Sequence, residues 1–208
     1  MALSVYIHIP YCLQRCRYCD FTTFEWSQIA PPEQYVSWLR QEIRNRHHGI
    51  PDRAVKTIYF GGGTPSLLEA DLIISILGEL NNAGFTRTND CEVTIEINPA
   101  TMDQAKLEKY LKAGINRFSV GAQTFHDPLL KDCGRKHSAQ ETRETLTILQ
   151  DLKLNYSFDL LFALPNQTLD MLKQDVDEAL SFQPTHLSAY CLTVPEGHPM
   201  SFGRAPEE

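Results

Sequence analysis

Six short β-rich runs recur along the chain with amphipathic stretches between them: SVYIHI (4–9), KTIYFG (56–61), CEVTIEIN (91–98), INRFSVG (115–121), NYSFDLLF (155–162) and HLSAYCLT (186–193). Most are apolar enough for strands buried on both faces. Strands alternating with helices build right-handed parallel units. Six such units of roughly 30 residues use up the chain, whereas a closed eight-stranded barrel takes about 250 residues. The expected fold is therefore α/β, a partial (β/α)6 barrel of the TIM type, with an open doubly wound sheet as the competing arrangement. In both, loops at the carboxyl ends of the strands carry the site.

The intervening segments have helical stripes and helical stops. Leu72, Ile73, Ile76, Leu77 and Leu80 form one apolar stripe ending near Gly84. Leu107 and Leu111 form another, with Gly114 placed for the left-handed residue beyond a helix end. Val36, Leu39 and Ile43 continue the pattern in the first helix, and Leu172, Val176, Ala179 and Leu180 in the last. Ser66 with Glu69, Thr101 with Gln104, and Ser138 with Glu141 have the spacing of capping boxes. The last stretch, PEGHPMSFGRAPEE, is rich in Pro and Gly and lacks periodicity. It reads as a domain exit, giving a core over 1–195 and an exit over 196–208.

Three of the six cysteines, Cys12, Cys16 and Cys19, fall within IPYCLQRCRYCDF, directly after the first strand. A cubane iron–sulfur cluster takes thiolate ligands, and three local ones leave the fourth iron open. Structural zinc takes four protein ligands, so the alternative is the three cysteines with His8 or His137. Six cysteines are too sparse for a disulfide scaffold, and no secretory signal opens the chain, so a reducing, cytoplasmic location is expected. Cys91, Cys133 and Cys191 read as small buried or loop residues. No apolar run is long enough to cross a bilayer, and a net charge of −7 argues against a nucleic-acid surface.

The second strand runs into FGGGTPS, where Gly62 and Gly63 allow close backbone approach and exposed N–H groups, and Thr64 adds a hydroxyl. The P-loop lysine is missing. Read locally, polar strand-end groups such as Glu96, Gln123, Arg135 and Asp159 do structural work: capping, backbone bonding or, for Arg135, a surface ion pair. His8 reads as a packed, hydrogen-bonded strand residue. His137 reads as a loop residue or one able to reach a haem iron.

In order, YIHIPYCLQRCRYCDF, YFGGGTPS, TIEINPAT, GINRFSVGAQTF, GRKH, DLLFALPNQT and HLSAYCLT resemble the radical S-adenosylmethionine family. Within it they resemble the branch of oxygen-independent coproporphyrinogen III oxidase and its haem-chaperone relatives. The resemblance implies a [4Fe-4S] cluster on Cys12, Cys16 and Cys19, with S-adenosylmethionine on the open iron. The cluster's electron would cleave a carbon–sulfur bond to give a 5′-deoxyadenosyl radical. It also implies that Tyr6, the backbone around Tyr18, the turn Gly62, Gly63 and Thr64, and Glu96 meet this cofactor. Gln123, Arg135 and Asp159 match positions that contact a second S-adenosylmethionine in the oxidase.

Phe21 stands where the oxidase carries a fourth cysteine, and only five residues precede Tyr6, where the oxidase has an extension over its substrate. Both departures favour the chaperone branch over porphyrinogen decarboxylation. Ala163, where relatives show Gly, and Ala189, where chaperones often carry an aromatic, are smaller departures. The expected function is haem chaperoning, with haem as cargo, respiratory haem enzymes as acceptors and flavodoxin or ferredoxin as reductant. The relatives' C-terminal domain is expected to be absent from this chain.

Overall fold

The computed structural model describes residues 2–194 and Met200, so the domain exit expected over 196–208 lies outside the described residues except for Met200. The elements run β1 (Leu3–Ile9), β2 (Tyr11–Cys12), β3 (Phe24–Glu25), α1 (Pro32–Arg46), β4 (Ala54–Gly62), α2 (Ala70–Asn82), β5 (Thr86–Ile97), α3 (Gln104–Lys112), β6 (Arg117–Gln123), α4 (Asp127–Asp132), α5 (Ala139–Asp151), β7 (Asn155–Phe162), α6 (Leu169–Ser181) and β8 (His186–Cys191). All six expected strands are present. They pair in parallel in the order β1-β4-β5-β6-β7-β8. A doubly wound sheet reverses its order at a switch point, and this sheet never does. Among the described residues its two edges, β1 and β8, stay unpaired with each other, as in an incomplete barrel.

Alternate strand residues divide between two environments. Ile58 and Phe60, Val93 and Ile95, Phe118 and Val120, and Phe158 and Leu160 are buried in one core with Ile73, Ile76, Leu107 and Leu146 of the helices. Fully burying each such side chain is worth about 1.5–3 kcal/mol. The residues between them are polar or small, and they line an open hollow: Tyr59, Glu96, Ser119, Gly121, Ser157 and Asp159. β6 and β7 are buried on both faces, as their apolar content leads one to expect, with Ser119 and Ser157 enclosed as well as Phe118 and Phe158, whereas burial alternates along the end of β1 and the middle of β4. Period-two alternation leaves one face to the helices and the other to the hollow.

The helices are fixed by local chemistry, with corrections. Ser138 and Glu141 form the expected capping box at α5. Ser66 does not cap α2; its hydroxyl is buried against Thr101 Oγ1 at 2.6 Å and accepts from the Asn98 N–H at 3.0 Å. Thr101 likewise serves this contact, and Asp103 caps α3 by accepting from the Lys106 N–H. Gly84 and Gly114 both take positive φ just past helix ends. In α6 the buried residues are Asp175 and Ala179, while Val176 and Leu180 are exposed. Asp175 holds the turn after β6 by accepting from Thr124 Oγ1 and the Phe125 N–H. Glu79 of α2, nearly inaccessible, binds Arg40 and Arg44 of α1 at 2.9 and 2.7 Å. Among the described residues, no helix is long and apolar enough to cross a membrane.

Candidate functional site

The hollow opens at the carboxyl ends of the strands into a cavity of about 510 Å³. Its rim is the cysteine loop. The short parallel pair of β2 with β3 fastens both ends of this loop, matching Tyr11 with Phe24 and Cys12 with Glu25. The Cys19 N–H donates to the Cys16 carbonyl, and the Arg17 N–H to the Cys133 carbonyl at 2.9 Å, tying the loop to the end of α4. Cys12, Cys16 and Cys19 are free, part-exposed thiols, and all three line the cavity.

The glycine turn locks onto that loop. Gly63 and Thr64 donate their N–H groups to the carbonyls of Ile9 and Tyr11 at 2.8 and 2.7 Å. Gly62, at φ +116°, donates to Glu96 Oε2 at 3.2 Å. These N–H groups are therefore spent inside the protein, which corrects the expectation of donors exposed to a ligand. The turn is a rigid seat. A Cβ on Gly63 would lie 2.5 Å from the Tyr11 carbonyl oxygen.

Glu96 faces the cavity with both oxygens engaged, Oε1 accepting from Tyr59 Oη at 2.8 Å. Burial raises its pKa, against the lowering effect of the Tyr59 and Gly62 bonds. Asp159 lies on the same wall, and burial raises its pKa too, opposed by Ser188 and Arg135. Gln123 has φ +68° at a register shift in β6. Such a bulge re-aims a side chain, and Gln123 lines the cavity.

Arg135 is not in a surface ion pair. Its Nη2 donates to the Gly121 carbonyl at 2.6 Å and its Nη1 to Cys16 Sγ at 3.6 Å, while Nε is enclosed without a partner among the described residues. Tyr18 packs beside Cys133 and Leu161, and burial, followed by the neighbouring Cys16 and Cys133 against the pull of Arg135, pushes its pKa well up. Tyr6 stands apart from the cavity lining. It is 58% exposed on edge strand β1, stacked on Tyr59 with ring centroids 6.1 Å apart.

The remaining sulfur and imidazole groups sort plainly. His8 donates from Nε2 to the Thr22 carbonyl at 2.8 Å and accepts from Tyr6 Oη, the structural role expected of it. His137 is buried, with Nε2 on the Ala122 carbonyl, and burial with the nearby Arg135 lowers its pKa to about 4. Neither histidine joins the cysteines, and among the described residues no three His, Cys, Asp or Glu gather tightly enough for a single metal ion. Both histidines are engaged with backbone carbonyls, of Thr22 and Ala122. A four-iron cluster instead needs thiolates spread around a body, and three free thiols on one rim beside a guanidinium suit it. Cys91 and Cys133 are buried, while Cys191 is an exposed residue of β8.

Residues 6–179 match the radical SAM superfamily model. The chain belongs to the radical SAM superfamily. That family implies a [4Fe-4S] cluster and S-adenosylmethionine. The heme chaperone HemW of Escherichia coli strain K12 is 38% identical over 92% of this chain and 51% of its own length. The heme chaperone HemW of Synechocystis sp. is 39% identical over 93% of this chain and 48% of its own. In structure, the coproporphyrinogen III oxidase HemN of E. coli superposes with a TM-score of 0.87 at 26% identity, over 98% of this chain and 47% of that one. The chain spans about half the length of the curated relatives it matches.

Sequence reasoning missed several groups that shape this radical SAM cavity. Tyr59 orients Glu96, Thr23 lies 4.0 Å from Cys19 Sγ, and Arg117 donates to Ser157 at 3.0 Å on the inner wall. The signal that finds Tyr59 and Arg117 is strand phase. Tyr59, Glu96, Arg117, Ser119, Ser157 and Asp159 all occupy the polar phase of apolar strands.

Proposed function

We propose that this chain is the radical SAM core of a haem chaperone. Cys12, Cys16 and Cys19 hold the [4Fe-4S] cluster, leaving one iron open as a three-thiolate cubane requires. When bound, the reduced cluster supplies an electron to S-adenosylmethionine. Glu96 offers a carboxylate to the cofactor's amine or ribose. The turn of Gly62, Gly63 and Thr64, with its N–H groups already engaged, presents a fixed backbone surface to that amine. Tyr6, outside the cavity lining, and the backbone around Tyr18 complete the surroundings of this cofactor, and Gln123, Arg135 and Asp159, which also line the cavity, receive a second cofactor molecule or part of the cargo. Residues 1–195 make up the core in this reading, and 196–208 lead out of it.

The reading is carried by the curated relatives, heme chaperones HemW that are 38% identical in E. coli and 39% in Synechocystis over more than nine tenths of this chain. Phe21, 70% exposed at the cavity rim, adds support, since it fills the place of the oxidase's fourth cysteine with a side chain that cannot ligate iron. Haem is the cargo, haem-requiring respiratory enzymes are the acceptors, flavodoxin or ferredoxin is the reductant, and the cytoplasm is the location, where thiols stay reduced.

The oxidase reading is favoured by the TM-score of 0.87. One experiment separates the two. Full-length protein, loaded anaerobically with iron and sulfide, is assayed for stable haem binding and for coproporphyrinogen decarboxylation. A stable stoichiometric haem complex without decarboxylation is expected; robust decarboxylation overturns the chaperone reading.

A further inference from the structure

The three cavity cysteines have unequal surroundings. Cys12 has the hydroxyls of Thr23 and Thr64 as its polar neighbours. Cys19 faces the Thr23 hydroxyl at 4.0 Å. Cys16 is bonded to a cation, Nη1 of Arg135 at 3.6 Å. The nearby Arg15 is engaged elsewhere, donating to the backbone carbonyls of Cys19 and Phe21.

Arg135 is also held in place. Its Nη2 is anchored on the Gly121 carbonyl at 2.6 Å, on the strand floor of the hollow, and its Nε is enclosed. The Arg17 N–H bond to the Cys133 carbonyl fixes the cysteine loop to the same region from the other side. A planar fork anchored at one prong presents the other in a fixed direction. The potential of an iron–sulfur cluster depends on net charge and on hydrogen bonds to its sulfurs, and outer partners of a ligand tune the metal.

We propose that Arg135 is a positioning residue that raises the reduction potential of the cluster through its hydrogen bond to Cys16 Sγ. This rests on the reading that Cys12, Cys16 and Cys19 hold the cluster. A positive donor at one thiolate favours the reduced, more negative state of the cluster. The corner at Cys16 is thereby distinguished from those at Cys12 and Cys19, which face neutral hydroxyls.

The test is a redox titration of the reconstituted protein followed by electron paramagnetic resonance, without S-adenosylmethionine, so that cofactor contacts of Arg135 do not enter. Arg135→Gln is expected to keep about four irons, the cubane content, and to titrate at a more negative potential than the unmutated protein. Arg135→Lys, which keeps the charge but loses the fork, is expected to fall between. An unchanged potential in either variant that retains iron overturns the proposal. Pulsed resonance on unmutated protein carrying arginine labelled with 15N in the guanidinium alone, so that the backbone nitrogens of Arg15 and Arg17 stay silent, covers the case in which both variants lose iron. A weak nitrogen coupling to the reduced cluster supports the contact, and its absence overturns it. Failure of the unmutated protein to take up iron overturns the cluster reading instead.

Discussion

Tyr59 Oη donates to Glu96 Oε1 at 2.8 Å, from β4 to its neighbour β5, while the Gly62 N–H at the end of β4 holds the other oxygen at 3.2 Å. The carboxylate is thus aimed into the cavity before any ligand arrives. Glu96→Gln keeps the size but loses the charge and one acceptor. It is expected to retain iron and to raise the Kd for S-adenosylmethionine at least tenfold, about 1.4 kcal/mol. Calorimetric titration of reconstituted protein checks this; an unchanged Kd removes Glu96 from the cofactor site.

Gly63 is required for contact. A Cβ there meets two backbone oxygens, of Tyr11 at 2.5 Å and Ile9 at 3.0 Å. Gly63→Ala is expected to cost about 1–3 kcal/mol and to reduce iron uptake, because the displaced turn carries the strand of Cys12 with it. Gly78, inside α2 with open space around it, is the control. Gly78→Ala is expected to stabilise by up to about 1 kcal/mol. Equal effects of the two in urea unfolding would contradict the packing argument.

Ala163, just after β7, sits at φ +60°. That backbone suits Gly, and an L side chain pays about 1–2 kcal/mol there. Ala163→Gly is therefore expected to stabilise the protein by about 1 kcal/mol, raising Tm by about 2–4 °C for a chain of this size. A lower Tm would show that the φ value carries no strain.

His137 predicts an acid limb of stability. Burial, with Arg135 nearby, lowers its pKa from 6.5 to about 4. The unfolded chain therefore binds the extra proton between those values, so stability is full above pH 6.5 and is lost as pH falls towards 4. The loss amounts to about 3 kcal/mol. Urea unfolding of iron-free protein from pH 7 to pH 4 should show this slope, and His137→Gln should flatten it. An identical slope in the variant would place the acid sensitivity elsewhere.

Much of this was legible in the sequence for identifiable reasons. The six strands announce themselves through β-branched and aromatic content, and Ser138 caps α5 through reciprocal bonds with Glu141 that lie three residues apart in the chain. Ser66 has the same spacing to Glu69, yet the Asn98 N–H and the Thr101 hydroxyl claim it, a tertiary contact that local spacing does not reveal. Likewise, Leu172, Val176, Ala179 and Leu180 form an apolar stripe along α6, but the helix buries Asp175 to hold the turn after β6, leaving Leu180 exposed. The positions of the cysteines, Gly63 and Glu96 at strand ends follow from chain order. The bond from Arg135 to Cys16 joins residues 119 apart and depends on how α4 packs against the loop, which no pattern in the sequence encodes.

The central claim is a cluster on three cysteines. Anaerobic reconstitution with iron and sulfide, followed by iron analysis and spectroscopy with and without S-adenosylmethionine, tests it most directly. The account predicts about four irons per chain, as a cubane requires, a spectrum that changes when S-adenosylmethionine is added, and loss of both in Cys16→Ser. The same iron content in Cys16→Ser, or zinc displacing iron from the unmutated protein, would contradict it.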